Sequence, residues 1–429
     1  MNVSLRDIKK DINSSEDILV FFRKNKLGGK YYRDLIKKYI SDEFGINSFT
    51  TISEYDNSGD IHINLKNICI QDLKHEDYKI IDEVIDINDV IIRERYFRSG
   101  LDYYKAHKLI IKCSKFFIDL FKEKKCKLII GQPVDNYVMD IMTRIAAYYN
   151  IYYYGLCKFI YSDYVRITTK GEINKIREVN DEEIIKFKNR LSIFNKNIFY
   201  NSKFNIYKSI IASYIKYKLK CIYHYFILHK LLGKLEYDFI SVRAQVYNKS
   251  IINTLKTSIL FNNRINDIKT NKQKSIYIPL HYFPEGTTEY WIKDSNKCTY
   301  YPYLTRVVNR LSKHGFNIYI KEHPAQYLKR DYKYLKDIGE IKNVVLLSPF
   351  INTSEIVKYF NNVLIWNGTT GLEFLAKKLN VYKACDGYYT EEIPCIDDLI
   401  YSTEKTSEWD DSKINIVISN ILSGTTKCE

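Results

Sequence analysis

The stretch from Lys127 to Gly155 constrains this chain most. Leu128-Ile-Ile-Gly131 is an unbroken apolar run ended by turn residues, the composition of a strand buried on both faces. Gln132-Pro-Val-Asp135 is a turn at its carboxyl end, Asn136 to Tyr149 reads as a helix with small Ala146 and Ala147, and Ile151-Tyr-Tyr-Tyr-Gly155 is the next strand. Strand, helix and strand in that order make a βαβ unit, so the chain is layered α/β and neither a sandwich nor a bundle. Open parallel sheets bind ligands in the crevice outside their strand carboxyl ends. Asp135 therefore stands at a candidate site position, although helix N-capping explains an Asp there equally well.

The same alternation recurs on both sides. Asp17-Ile-Leu-Val-Phe-Phe22 reads as a strand and Tyr31 to Ile40 as a helix. Leu27-Gly-Gly-Lys30 between them lacks Walker or GxGxxG spacing and reads as a plain turn. A second α/β pattern has strands at Ser275–Leu280, Asn317–Lys321, Asn343–Leu347 and Asn362–Trp366, with helices at Tyr301–His314, Ser354–Phe360 and Leu372–Lys378. The expected organisation is an N-terminal Rossmann-like domain over 1–180, a helical basic linker over 181–270 and a C-terminal Rossmann-like domain over 271–429.

Composition enters through charge. With 45% hydrophobic and 27% charged residues the chain has the makings of packed cores and is not globally disordered. Its formal charge of +15 and 39 Tyr invite a nucleic-acid reading, so the excess has to be located. Lys203 to Lys234 holds seven Lys and no Asp or Glu, interleaved with apolar and aromatic residues. That is the composition of a helix lying on an anionic membrane surface, with Lys216, Lys218, Lys220 and Lys230 as contact residues. An amphipathic helix packed on its own domains is the plainer alternative. No RNP, KH, helix-turn-helix or zinc-finger pattern supports nucleic acid as a partner.

Nine dispersed Cys with no CxxC, and eight His with no HxxxH or HExxH, point to free thiols in a reducing compartment and to no metal site. The N-terminus lacks a signal-peptide h-region, and no stretch of about 18 uncharged apolar residues occurs. The expectation is a cytoplasmic protein resting peripherally on the inner face of the cytoplasmic membrane.

Three clusters fall at the ends of expected strands in the second domain: Pro279-Leu-His-Tyr-Phe-Pro-Glu-Gly286, Lys321-Glu-His-Pro324 and Asn367-Gly-Thr-Thr-Gly-Leu-Glu373. In the third, Gly368 and Gly371 permit a tight turn and close backbone approach, while Thr369 and Thr370 offer hydroxyls to an anion such as phosphate. An N-capped helix without a ligand is the plainer explanation. In the second, Pro324 fixes the backbone beyond the strand, so His323 can be aimed outward to stabilise a phosphate leaving group.

Together, PLHxxPE, KEHP and GTxGLE resemble the bacterial capsule and surface-polysaccharide biosynthesis proteins that include Kdo transferases, which are similar in turn to GT-B sialyltransferases with a His-Pro motif. The resemblance covers Ile276 to Ala384 and is weaker in the first domain. It implies a GT-B fold, two Rossmann-like domains facing across a cleft, with the acceptor on the first and a nucleotide sugar on the second. Lys321, Glu322, His323, Pro324, Asn367, Gly368, Thr369, Thr370 and Glu373 are the implied nucleotide-sugar contacts. Phe283 stands before Pro284-Glu285 where the family often has Gln, and Asn367 replaces a commoner small or polar residue.

The implied function is a metal-independent glycosyltransferase of capsule or lipopolysaccharide synthesis. It needs no cofactor beyond its donor, with CMP-Kdo as the first expectation and a glycan or glycolipid as acceptor. Asp135, His281 and Glu285 are the candidates for general base or nucleophile. Lys321 or Arg166 is the candidate cation for an acidic sugar's carboxylate. No DxD-type cluster suggests a metal, and Asp410-Asp411 reads as a solvated pair. The alternatives are a CDP-glycerol glycerophosphotransferase, whose Tyr-Ser-Ser turn is replaced here by Asn-Gly-Thr-Thr, a UDP-sugar 2-epimerase, and a non-catalytic scaffold of a polysaccharide assembly complex.

Overall fold

Two sets of short apolar runs assemble into two separate sheets. The computed structural model describes residues 8, 10–22, 29–54, 59–161, 163–193, seven positions between 212 and 223, and residues 251–262, 274–387, 389–401 and 409–427. Its strands are β1 (Ile18–Phe22), β2 (Thr50–Ser53), β3 (Ile61–His62), β4 (Leu128–Gly131), β5 (Tyr152–Lys158) and β6 (Tyr164–Ile167). There follow β7 (Ser275–Pro279), β8 (Asn317–Lys321), β9 (Val344–Leu347), β10 (Asn362–Ile365), β11 (Asn380–Lys383) and β12 (Thr425–Lys427). The chain divides into one unit of residues 1–97, 101–179 and 420–429, and a second of residues 98–100 and 180–419.

In the first unit the strands run β12-β6-β5-β4-β1-β2-β3. From β5 to β3 the pairings are parallel, and β6 and β12 extend the edge antiparallel. The five parallel strands are the doubly wound order 3-2-1-4-5, in which the winding reverses between the first and fourth strands. Ile18, Val20, Leu128, Ile130, Leu156 and Ile167 bury against Leu35, Ile36 and Ile40 of the helix Gly29–Phe44. Gly155 is required where β5 passes the Gln132–Pro133 turn, because a Cβ would meet Thr168 O at 2.2 Å and Pro133 Cα at 2.6 Å. Asp140, fully buried on the helix Tyr137–Tyr148, is paired with Lys170 and Arg144. Burial pushes its carboxyl up, but these two cations more than offset that and hold it below its ordinary value.

The second unit has the order β11-β10-β7-β8-β9, every pairing parallel. Renumbered within the unit this is again 3-2-1-4-5, with the reversal between β7 and β10. Ile276, Ile278, Ile318, Ile320 and Leu364 pack on Leu304, Val308 and Leu311 of the helix Tyr300–Lys313. On the sheet's other face Tyr277 stacks on Phe360 and on Phe374, each with ring centroids 5.9 Å apart.

The α/β layering and two Rossmann-like sheets expected from the sequence are what the structure has. β4 and β8 have the expected ends. Two placements differ. Residues 420–429 were expected in the second domain, yet β12 pairs antiparallel with β6 and joins the first unit. Residues 181–193 were expected in a helical linker; they are helical, but the helix belongs to the second unit and packs on its helix Thr370–Ala376.

Candidate functional site

In the second unit the strand-order reversal parts the loops leaving β7 and β10, and a crevice opens between them. A cavity of about 430 Å³ lies there, lined by residues 279–282, Glu285, Thr287, His323 and residues 365–370. All three sequence motifs contribute to it. Of the expected ligand contacts, His323, Asn367, Gly368, Thr369 and Thr370 line the wall, as do the catalytic candidates His281 and Glu285.

The β7 loop carries a hydrogen-bonded chain. Thr287 Oγ1 donates to Glu285 Oε2 at 2.7 Å and lies 2.8 Å from His281 Nε2. His281 and Glu285 themselves are 3.5 Å apart. Since the single Thr287 proton goes to the carboxylate, the contact with His281 is donated by Nε2–H. In the neutral imidazole Nδ1 then keeps its lone pair. That nitrogen faces the Gly368 turn, 3.8 Å from where a Cβ on Gly368 would stand.

His323 enters from the end of β8, its ring edge-on to Tyr282 with centroids 5.7 Å apart. Burial, reinforced by the electrostatic influence of His281, Arg330 and Lys321, lowers its pKa from 6.5 to about 4. It is a neutral hydrogen-bonding ring at physiological pH. Among the described residues, the cavity wall contains no Lys or Arg.

The turn after β10 is held from behind. Asn367 Nδ2 donates to the Thr287 carbonyl at 3.0 Å, and the Tyr389 hydroxyl donates to the Gly368 carbonyl. Gly387 allows Asn367 its place, because a Cβ there would come within 1.4 Å of Asn367 Oδ1. Thr369 forms no side-chain cap on the short helix Thr370–Ala376 and is an exposed residue of the cavity wall.

Lys321, Glu322, Pro324 and Glu373 were expected as ligand contacts but do not line the cavity. Glu322 is 1% exposed, and both its oxygens are taken by the fully buried Arg330, at 2.6 and 2.9 Å. Neighbours in extended chain point to opposite sides, so a His323 that faces the cavity turns Glu322 into the protein. Lys321 is buried behind the wall with Nζ 3.4 Å from Thr353 Oγ1, and desolvation lowers its pKa to about 8 despite Glu373. Desolvation raises Glu373 to about 7. Pro324 opens a 3-10 turn over Pro324–Gln326.

Asp135 belongs to the first unit, beyond β4 at that sheet's own reversal point. It is not the helix cap: Asn136 fills that position, its side chain accepting from the Met139 N–H at 2.9 Å. Arg95, 1% exposed, donates to Asp135 Oδ1 at 2.8 Å and to its carbonyl at 2.9 Å. Arg166 is also in this unit, and its Nη2 donates to the Gly171 and Glu172 carbonyls. Asp411 of the expected solvated pair is exposed but ion-paired to Lys188 and Lys378.

Of the basic segment, Lys216 and Lys218 are among the described residues, while Lys220 and Lys230 lie outside them. Ile215, Leu219, Ile222 and Tyr223 are each at least half exposed. Among the described residues no group of three or more His, Cys, Asp or Glu could hold a metal ion, and no helix is long and apolar enough to cross a membrane.

No protein-family model matches the chain, and no curated protein matches it in sequence. Solved structures similar to it include the beta Kdo 2,7 transferase KpsC of Thermosulfurimonas dismutans, at 11% identity over 82% of this chain and 87% of that one, with a TM-score of 0.31. The Methanocaldococcus jannaschii UDP-GlcNAc 2-epimerase is similar at 10% identity over 95% and 99%, with a TM-score of 0.30. A glycosyltransferase from Rickettsia africae is similar at 11% identity over 94% and 93%, with a TM-score of 0.28. Likenesses this distant assign neither a family nor an activity.

Proposed function

We propose that this crevice binds the phosphate of a nucleotide-activated sugar, and that the chain is a GT-B-type glycosyltransferase of bacterial surface-polysaccharide synthesis. One observation carries the reading: His281, His323, Thr369 and Thr370, from three separate strand ends, converge on one cavity at the point where the strand order reverses. The chemistry of the wall narrows the donor. Among the described residues the wall offers His and Thr donors and no Lys or Arg, which supports the single charge of a nucleoside monophosphate sugar over a pyrophosphate, whose extra charge needs cations on leaving. A CMP-sugar is accordingly the donor of choice, with Kdo as the first sugar to test.

In this mechanism His323 donates a hydrogen bond to the phosphate oxygen that gains charge as the glycosidic bond breaks, and Thr369 and Thr370 bracket the same group. His281 is oriented by the Thr287–Glu285 chain and presents Nδ1 as the base for an acceptor hydroxyl. Asp135, ion-paired to Arg95, is the acceptor-side candidate of the first unit. The epimerase alternative is less well supported, since it needs several acids around one sugar and Glu285 is the single carboxylate on the described wall. The Lys-rich segment, with its exposed Ile215, Leu219 and Tyr223, supports resting on an anionic membrane where a lipid-linked acceptor is found.

A thermal-shift panel of CMP, CDP, UDP and GDP tests the reading, run on wild type and on His323→Ala. Stabilisation by CMP that the variant loses supports it. A response to UDP alone sinks the CMP-sugar donor, and silence toward all four favours a scaffold. Sedimentation with anionic liposomes at low and high salt tests the membrane reading, which fails if nothing co-sediments at low salt.

A further inference from the structure

The two histidine loops leave different strands, yet one buried side chain ties them together. Arg330 is fully buried seven positions beyond His323. Its Nε and Nη2 grip the Glu322 carboxylate, and the same Nη2 donates to the His281 carbonyl at 2.7 Å. Glu322 Oε1 in turn accepts the backbone N–H of His323 at 2.6 Å. The His281 N–H donates to the Tyr300 hydroxyl at 2.8 Å, and the Arg330 guanidinium lies 6.0 Å from the Tyr300 ring and 5.6 Å from that of Tyr301. Removing either ion of a buried pair leaves the other uncompensated, so the fold keeps such a pair only where it is held on all sides.

We propose that Arg330, acting through Glu322, is a positioning residue that locks the His281 and His323 loops into one rigid donor-binding wall. Neither Arg330 nor Glu322 lines the cavity, so neither touches a ligand there. Their effect is to fix two backbones, one by its carbonyl and the other by its N–H. The planar guanidinium donates to four oxygens, both of the Glu322 carboxylate, the His281 carbonyl and the Tyr301 hydroxyl, which a lysine ammonium on the same stem cannot match. The consequence for ligand binding rests on the nucleotide-site reading above, whereas the mechanical link between the loops does not.

Hydrogen exchange of the full chain, with and without CMP, tests this on Arg330→Lys and on Glu322→Gln. Both variants should exchange several-fold faster in peptides covering 280–286 and 322–327, with β7 and β8 unchanged. Arg330→Lys should also weaken CMP binding about tenfold, the order expected for losing one charge-assisted bond. Glu322→Gln keeps the shape of the pair, and it decides the matter should Arg330→Lys fail to fold. Faster exchange confined to 322–327, with 280–286 unaltered, overturns the link. Faster exchange throughout the second unit overturns it as well, because the pair would then serve general stability. If CMP protects neither peptide in the wild type, the nucleotide-site reading fails, and the ligand-free comparison still decides the link.

Discussion

Gly387→Ala is the sharpest perturbation of the wall. A Cβ at 387 would lie 1.4, 2.3 and 2.6 Å from Oδ1, Cγ and Nδ2 of Asn367, so the whole amide must leave its place. Asn367 is 4% exposed, and its displacement breaks the 3.0 Å bond from Nδ2 to the Thr287 carbonyl. Stranding those buried polar groups costs about 1–3 kcal/mol. Forcing the extra methyl into packed surroundings adds about 1–3 kcal/mol, for a sum of roughly 2–6 kcal/mol. All three tryptophans, Trp291, Trp366 and Trp409, belong to the second unit, so urea unfolding followed by tryptophan fluorescence reports that unit alone. The midpoint of Gly387→Ala should fall, and adding Asn367→Ala should restore part of the loss by removing the clash. A Gly387→Ala protein that unfolds at the wild-type midpoint, or one that Asn367→Ala does not rescue, would refute the reasoning.

Other outcomes follow from the same structure. Gly155→Ala should destabilise the first unit by about 3 kcal/mol or more, because its Cβ meets the backbone of Thr168 and Pro133 and no side chain can swing away; far-UV melting is the check. His323, with its pKa lowered from 6.5 to about 4, makes the unfolded chain bind more protons between those values. Stability should therefore fall as pH drops through that window, and His323→Asn should gain on wild type by on the order of 1–3 kcal/mol at its acid end. Glu373 acts oppositely: raised from 4.5 to about 7, it takes up protons on folding and loses stability as pH rises through that range. Glu373→Gln should gain on wild type as pH rises from 4.5 to 7, and urea midpoints measured against pH separate the two slopes.

The parts of this fold that were legible in the sequence are those with a strong local signal. β4 and β8 were placed with the right ends because each is an apolar run closed by a turn residue. β2, Thr-Thr-Ile-Ser, and β12, Thr-Thr-Lys, went unnoticed because they are short and polar, and sheet neighbours supply what their own composition lacks. The three motifs were legible because each ends a strand, where parallel sheets collect ligands. Arg330 was not, since its work is done across 49 positions to His281. Thr287 and Gly387 are ordinary turn residues until their partners Glu285 and Asn367 are in view. Glu322 was misplaced for a period-two reason: reading KEHP as one ligand-binding string ignores that adjacent extended residues face opposite ways.

The central claim is that the phosphate of a nucleotide sits against His323 in the crevice between the ends of β7 and β10. Its most direct test is the NMR spectrum of protein labelled at the histidine ring nitrogens, titrated with CMP, with His281→Ala and His323→Ala supplying the assignments. The rings of His323 and His281 should shift together and saturate at one CMP concentration, while His62, His75 and His107 of the first unit stay in place. Saturable CMP binding that leaves both crevice rings unmoved would contradict the account.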